Sequence, residues 1–127
     1  MSEAVTNNVR VEAESRYVPE ESKPFDDEWC FHYTIRITNE GHETVQLLSR
    51  HWVTTDAAGQ VEEVQGEGVI GRQPVLAPGQ SFQYTSRWPL KTATGIMRGM
   101  YQMVSESGDY FDVEIAPFTL HEPYTVH

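Results

Sequence analysis

Cysteine is nearly absent from this chain, which has a single one, Cys30, in 127 residues. One thiol excludes an intramolecular disulfide and any zinc site built from several cysteines, and it agrees with a reducing compartment. Lysine is scarce too, occurring only as Lys23 and Lys91, and no basic cluster relieves an excess of nineteen acidic over nine basic residues, a net charge of -10. Such a surface repels phosphate backbones and anionic lipids, so nucleic acid and membranes are poor partners, whereas cations and basic protein patches are welcome. No apolar run approaches the length of a membrane span, and residues 1–10 lack the basic start and apolar core of a secretory signal. The expected location is therefore cytoplasmic. Long amphipathic helical patterns, internal repeats, low-complexity tracts and linkers are also missing. A single domain over residues 1–127 is expected, with an ordered core of about 8–120; residues 1–7 and the tail after Leu120 are expected to fray.

What the chain does contain is aromatic weight and alternation. Three Trp, six Tyr and five Phe within a 39% apolar composition suffice for one buried core. Trp29, Phe31, Tyr33, Ile35 and Ile37 alternate with Cys30, His32, Thr34 and Arg36, the period of a half-buried strand. Val9, Val11 and Ala13 alternate with Arg10, Glu12 and Glu14 in the same way. Val45 and Leu47 share one phase while Leu48, Arg50 and Trp52 share the other, as if one extra residue were inserted in a bulge near Leu47 and Leu48. Phe82, Tyr84 and Trp88 form a further alternating run. So do Phe111, Val113 and Ile115, until Pro117 is expected to interrupt the ladder. Residues 96–104 are apolar in both phases, predicting a central strand covered on both faces. Turn residues punctuate these runs at Asn39-Glu40-Gly41, Asp56 to Gly59, Ala77-Pro78-Gly79 and Ser107-Gly108-Asp109. The pattern predicts an all-β antiparallel sandwich of seven to eight strands, immunoglobulin-like in general form. The antibody landmarks of Cys and Trp are missing, which favours the fibronectin type III-like variant.

One motif invites a chemical reading. Gly66-Glu67-Gly68-Val69-Ile70-Gly71 matches the dinucleotide-binding pattern, but a nucleotide fold needs a helix after the third glycine and an acidic residue about 20 positions on. Pro74, Pro78 and Gly79 follow Gly71 and forbid the helix, and Lys91 and Thr92 stand where the acid belongs. What survives is a glycine loop whose amides could hold an anion beside Arg72. Gly66, Gly68, Gly71 and Arg72 are thus the candidate ligand loop, against a purely conformational role.

Metal-binding patterns are weak. Histidines 32, 42, 51, 121 and 127 form no closely spaced ligand pair, although His32 and His51 fall on strands that could be neighbours. Glu20, Glu21, Asp26, Asp27 and Glu28 offer oxygens without the spacing that wraps a calcium ion, so only weak divalent-cation association follows. Cys30 reads as a structural thiol. Ser86 and Ser105 sit in no nucleophile elbow, and no catalytic constellation or cofactor site emerges.

The run 66–79, GEGVIGRQPVLAPG, with FQYTS at 82–86 and GIMRGMYQM at 95–103, resembles the ApaG family. The likeness extends from Arg36-Ile37-Thr38-Asn39 and His51-Trp52 to the closing FDVEIAPF at 111–118. It implies a fibronectin type III-like fold and a bacterial cytoplasmic protein also called CorD, associated with cobalt tolerance and magnesium efflux. In eukaryotes, similar domains are attached to F-box proteins and to a polymerase-delta-interacting protein, which implies a non-catalytic protein-binding module. A homodimer through an uncovered edge strand is a further expectation, and direct divalent-metal binding or phosphate binding by the glycine loop are the alternatives.

Overall fold

A computed structural model describes residues 1–122. The described residues form nine strands: β1 (Ser2–Thr6), β2 (Val9–Tyr17), β3 (Trp29–Asn39), β4 (Val45–Asp56), β5 (Val61–Glu67), β6 (Val75–Leu76), β7 (Ser81–Leu90), β8 (Thr94–Ser105) and β9 (Tyr110–His121). They form two antiparallel sheets, one in the order β1-β2-β3-β7, the other β5-β4-β8-β9 with β6 also on β4. This is the fibronectin type III-like sandwich that the alternation predicts, with one strand more than the upper expectation. The acidic segment between β2 and β3 folds into two single-turn 3-10 helices, Pro19–Glu21 and Pro24–Asp26.

The apolar phase of each strand faces inward. Ile35 and Ile37 from β3, Leu47 and Trp52 from β4, and Tyr101 and Met103 from β8 are essentially inaccessible. Trp52 sits in an aromatic cluster, with ring centroids 5.3 Å from Tyr33, 6.0 Å from Phe118 and 6.3 Å from Tyr101. The edge-on geometries suit the quadrupoles of the rings.

One expectation is met in full and three meet the structure differently or in part. The bulge is present: the β4–β8 register shifts between Leu47 and Ser49, leaving Leu48 as the inserted residue. Pro117 does not end its strand. Met97 pairs with Phe118 and Gly99 with Ile115, so Arg98 faces both Ala116 and Pro117 across a bulge, and the missing N–H of proline falls where the ladder skips. Strand β8 is central, but one face is open: Ile96 and Met100 are 47% and 41% exposed while Met97 and Met103 are buried. No third layer covers that side among the described residues, so the two-phase apolar pattern overstated burial. Finally, residues 2–6, within the stretch expected to fray, form β1 and pair with β2 from Ser2↔Ala13 to Thr6↔Val9. The expected fraying after Leu120 falls mainly on residues 123–127, outside the described residues.

The two long sides of the sandwich differ. On one, hydroxyl groups tie the sheets together: Ser2 Oγ donates to the Ala116 carbonyl at 2.8 Å, Ser15 Oγ to the Thr119 carbonyl at 2.6 Å, and the Glu114 amide to Thr6 Oγ1 at 3.2 Å. On the other, β5 and β7 are terminal strands of their sheets, and a cleft lies between them.

Candidate functional site

The glycine loop lies on this open side, and its shape follows from β4. Because Leu48 is bulged out of the β4–β8 ladder, its carbonyl is available, and it accepts the Gly68 amide at 2.8 Å and Gln73 Nε2 at 2.9 Å. Val69 and Arg72 close a two-residue hairpin with reciprocal backbone bonds of 2.8 and 2.9 Å. Its central residues, Ile70 and Gly71, have φ of 43° and 75°, the pair of positive values that such a tight hairpin turn requires. Gly68 has φ 61°, and a Cβ there would lie 2.2 Å from the Arg72 carbonyl oxygen. A Cβ on Gly66 would meet the Arg50 guanidinium at 2.9 Å. Gly68 and Gly71 thus answer a steric or turn requirement, and Gly66 makes room for the Arg50 guanidinium.

The same geometry engages part of the amide set that an anion would use. The Gly68, Val69 and Arg72 N–H groups all donate to backbone carbonyls, and the Arg72 guanidinium lies 5.6 Å over the Phe82 ring. The basic group aimed at the loop is instead Arg50, which sequence reading placed only in a strand phase. Its Nη1 donates to the Glu67 and Gly68 carbonyls at 3.0 and 2.9 Å, holding the loop against the sheet.

Beside the loop, a cleft of about 400 Å³ is lined by Arg50, Trp52, Ile70, Tyr84 and Trp88 among others. Tyr84 and Tyr101 share a hydrogen bond of 2.5 Å between their hydroxyls. Burial pushes both phenols above their ordinary range, because a phenolate would lose its hydration there, so both stay protonated and one donates to the other. The buried indole nitrogens of Trp52 and Trp88 have no hydrogen-bond partner among the described residues. Ile70 is 56% exposed at the rim, an apolar side chain presented to solvent on a backbone conformation unfavourable to it.

His32 and His51 are not brought together, since β3 and β4 belong to different sheets. His51 Nε2 lies 3.1 Å from Glu63. His32 Nε2 lies 3.3 Å from Glu21 Oε1, and that same oxygen is 3.6 Å from Cys30 Sγ. These three donor atoms all lie within 4.8 Å of one another. His32, followed by Cys30 and Arg87, holds Glu21 below the usual carboxylate range. Cys30 and His32 are two apart on β3 and so share a face. That spacing was readable from the sequence, but the third member, from a turn, was not. His42 and His121 are exposed, and His127 lies outside the described residues.

The ApaG domain (DUF525) matches residues 19–105, and the Protein ApaG of Bradyrhizobium sp. (strain ORS 278) is 54% identical over 123 residues, 97% of this chain and 95% of that protein. The chain belongs to the ApaG domain family. The Protein ApaG of Bordetella pertussis (strain Tohama I) is 50% identical over 120 residues, covering 94% of this chain and 92% of that protein. A crystal structure of a Bordetella pertussis protein described as ApaA superposes with a TM-score of 0.89 at 50% identity, over 92% of this chain and 95% of that one.

The ApaG domain match takes in the turn bearing Glu21, the Cys30 strand, the Leu48 bulge and the whole glycine loop. It stops before β9, whose edge closes the opposite side. Among the described residues, no helix is long and apolar enough to cross a membrane.

Proposed function

We propose that this ApaG domain is a non-catalytic interaction module that binds an extended, basic segment of a protein partner along β5 and over the adjoining cleft. The observation that carries this reading is the asymmetry of the sandwich. Its β1/β9 side is laced by hydroxyl bonds, whereas β5 is exposed along most of its length with one backbone edge outside the sheet. An open edge strand takes an added strand through main-chain hydrogen bonds. Glu62, Glu63 and Glu67 lie on β5, and the chain carries ten excess negative charges, which selects a partner with Lys or Arg at alternating positions. Ile70 and the Trp-lined cleft beside it offer an apolar anchor point. In this reading Gly66, Gly68, Gly71 and Arg72 shape the rim, and Arg50 fixes it. The family resemblance supports a cytoplasmic module with a part in divalent-cation homeostasis, on the side of cobalt tolerance and magnesium efflux.

Selection of displayed heptapeptides on the immobilised domain tests the reading. Enriched peptides are expected to carry alternating basic residues, to shift the amide resonances of residues 61–67, and to lose at least tenfold in affinity against a Glu62→Lys/Glu63→Lys variant. Enrichment of sequences without basic residues, or shifts confined to other strands, would refute it.

A further inference from the structure

The outer face of the first sheet carries a second constellation, which shares only Arg87 with the lining of the cleft beside β5 and does not rest on the reading above. Cys30 and His32 project from the same face of β3, and Glu21 reaches over them from the 3-10 turn Pro19–Glu21. That turn is fastened to the strand. The Val18 amide donates to the Cys30 carbonyl at 2.9 Å, the Cys30 amide to Ser22 Oγ at 2.8 Å, and Ser22 Oγ to the Val18 carbonyl at 2.8 Å. The turn explains why Cys30 is fully buried although it belongs to the outward phase of its strand.

We propose that Cys30 Sγ, His32 Nε2 and Glu21 Oε1 bind a thiophilic divalent first-row metal ion such as Zn²⁺, with a fourth position left to water. The donor set is one thiolate, one imidazole and one carboxylate, a combination that suits zinc rather than the oxygen-seeking Mg²⁺ or Ca²⁺. Two of the three separations can be compared directly. Tetrahedral bonds of ordinary zinc length place nitrogen and oxygen ligands roughly 3.3 Å apart and sulfur and oxygen ligands roughly 3.5 Å apart; the structure has 3.3 Å and 3.6 Å. The third, Cys30 Sγ to His32 Nε2, is within 4.8 Å. On binding, the Sγ–H bond breaks, its proton passes to solvent, and the sulfur lone pair forms the metal bond.

Arg87 stands where such an ion competes. It lies on β7 directly across from His32; its Nη2 is 3.6 Å from Cys30 Sγ and its Nε 3.6 Å from Glu21 Oε1. The guanidinium thus supplies, in the metal-free chain, the positive charge toward which sulfur and carboxylate converge. Its side chain is 61% exposed, so it can swing into solvent when an ion enters. Arg16, across from His32 on β2, adds a second repelling cation, which sets a moderate rather than tight affinity.

Co²⁺, a spectroscopic substitute for Zn²⁺, provides the test on the full chain in a thiol-free reductant. One equivalent is expected to give a near-ultraviolet thiolate-to-cobalt charge-transfer band with visible bands of tetrahedral intensity, both bleached by Zn²⁺. Cys30→Ser should abolish the charge-transfer band. His32→Ala and Glu21→Gln, at half-buried and exposed positions outside the core, should each weaken binding at least tenfold with an unchanged circular dichroism spectrum. Arg87→Gln should tighten it severalfold by removing the competing cation. Absence of the thiolate band in the folded wild type would overturn the proposal. So would affinity insensitive to His32→Ala and Glu21→Gln, or weaker binding in Arg87→Gln.

Discussion

Ile70 is the residue at which local preference and observed structure disagree most. A β-branched side chain at φ 43° crowds its own backbone, and Asn or Gly is the ordinary occupant of that position in a two-residue hairpin. Ile70→Asn should therefore stabilise the fold by about 1 kcal/mol, seen as a higher urea midpoint at unchanged slope. The same variant should weaken the selected basic peptides, since it removes the apolar side chain at the rim. The turn residues around it were only partly legible. Gly71 announces a turn, but nothing in the local pattern marks Ile70 as a second positive-φ residue. Arg50 escaped for a related reason. Its phase in β4 is readable, yet its contact with Gly66 depends on the pairing Arg50↔Gly66 between β4 and β5.

At the scale of elements, two bulges shape the second sheet. The first was visible in the phase change at Leu47 and Leu48, and its freed carbonyl anchors the glycine loop. The second, opposite Arg98, lets β9 continue past Pro117 so that Phe118 and Leu120 reach the core; sequence reading took the proline as an end because a register skip on a partner strand leaves no local trace. Gly99 adjoins this second bulge. A Cβ there would lie 2.2 Å from the His51 carbonyl oxygen on β4 and 3.1 Å from the Trp52 ring. Gly99→Ala should cost about 3 kcal/mol, since neither a paired strand nor a packed indole can yield. Thermal and urea denaturation followed by Trp fluorescence measure it. A loss under 1 kcal/mol would show that the two strands can part without penalty.

Over the whole molecule, charge sets the pH limits. Glu40, bonded to Arg10 at 2.8 and 3.2 Å, and Glu21, beside His32, both have carboxyls held below their ordinary 4.5. A depressed native pKa gives stability that is present above the unfolded value and lost as pH falls through the native one. Tyr84 and Tyr101 lie on the opposite limb. Their raised pKa values give stability that is complete below 10 and is lost as the pH climbs beyond it. The urea midpoint should thus form a plateau, falling below about pH 4.5 and above about pH 10. Glu40→Gln should flatten the acid limb, and Tyr84→Phe the alkaline one. The sequence by itself determined the strand phases, the turns, the first bulge and the absence of a helix after Gly71, because these follow from side-chain alternation and backbone restrictions within a few neighbouring residues. Only the tertiary structure decided which edges stay open, that Arg50 lies over Gly66, and that Glu21 and Arg87 converge on Cys30. Those contacts join residues 9 to 57 positions apart, and their partners are chosen by which sheet faces bury one another, a property of the packed sandwich that no local pattern encodes.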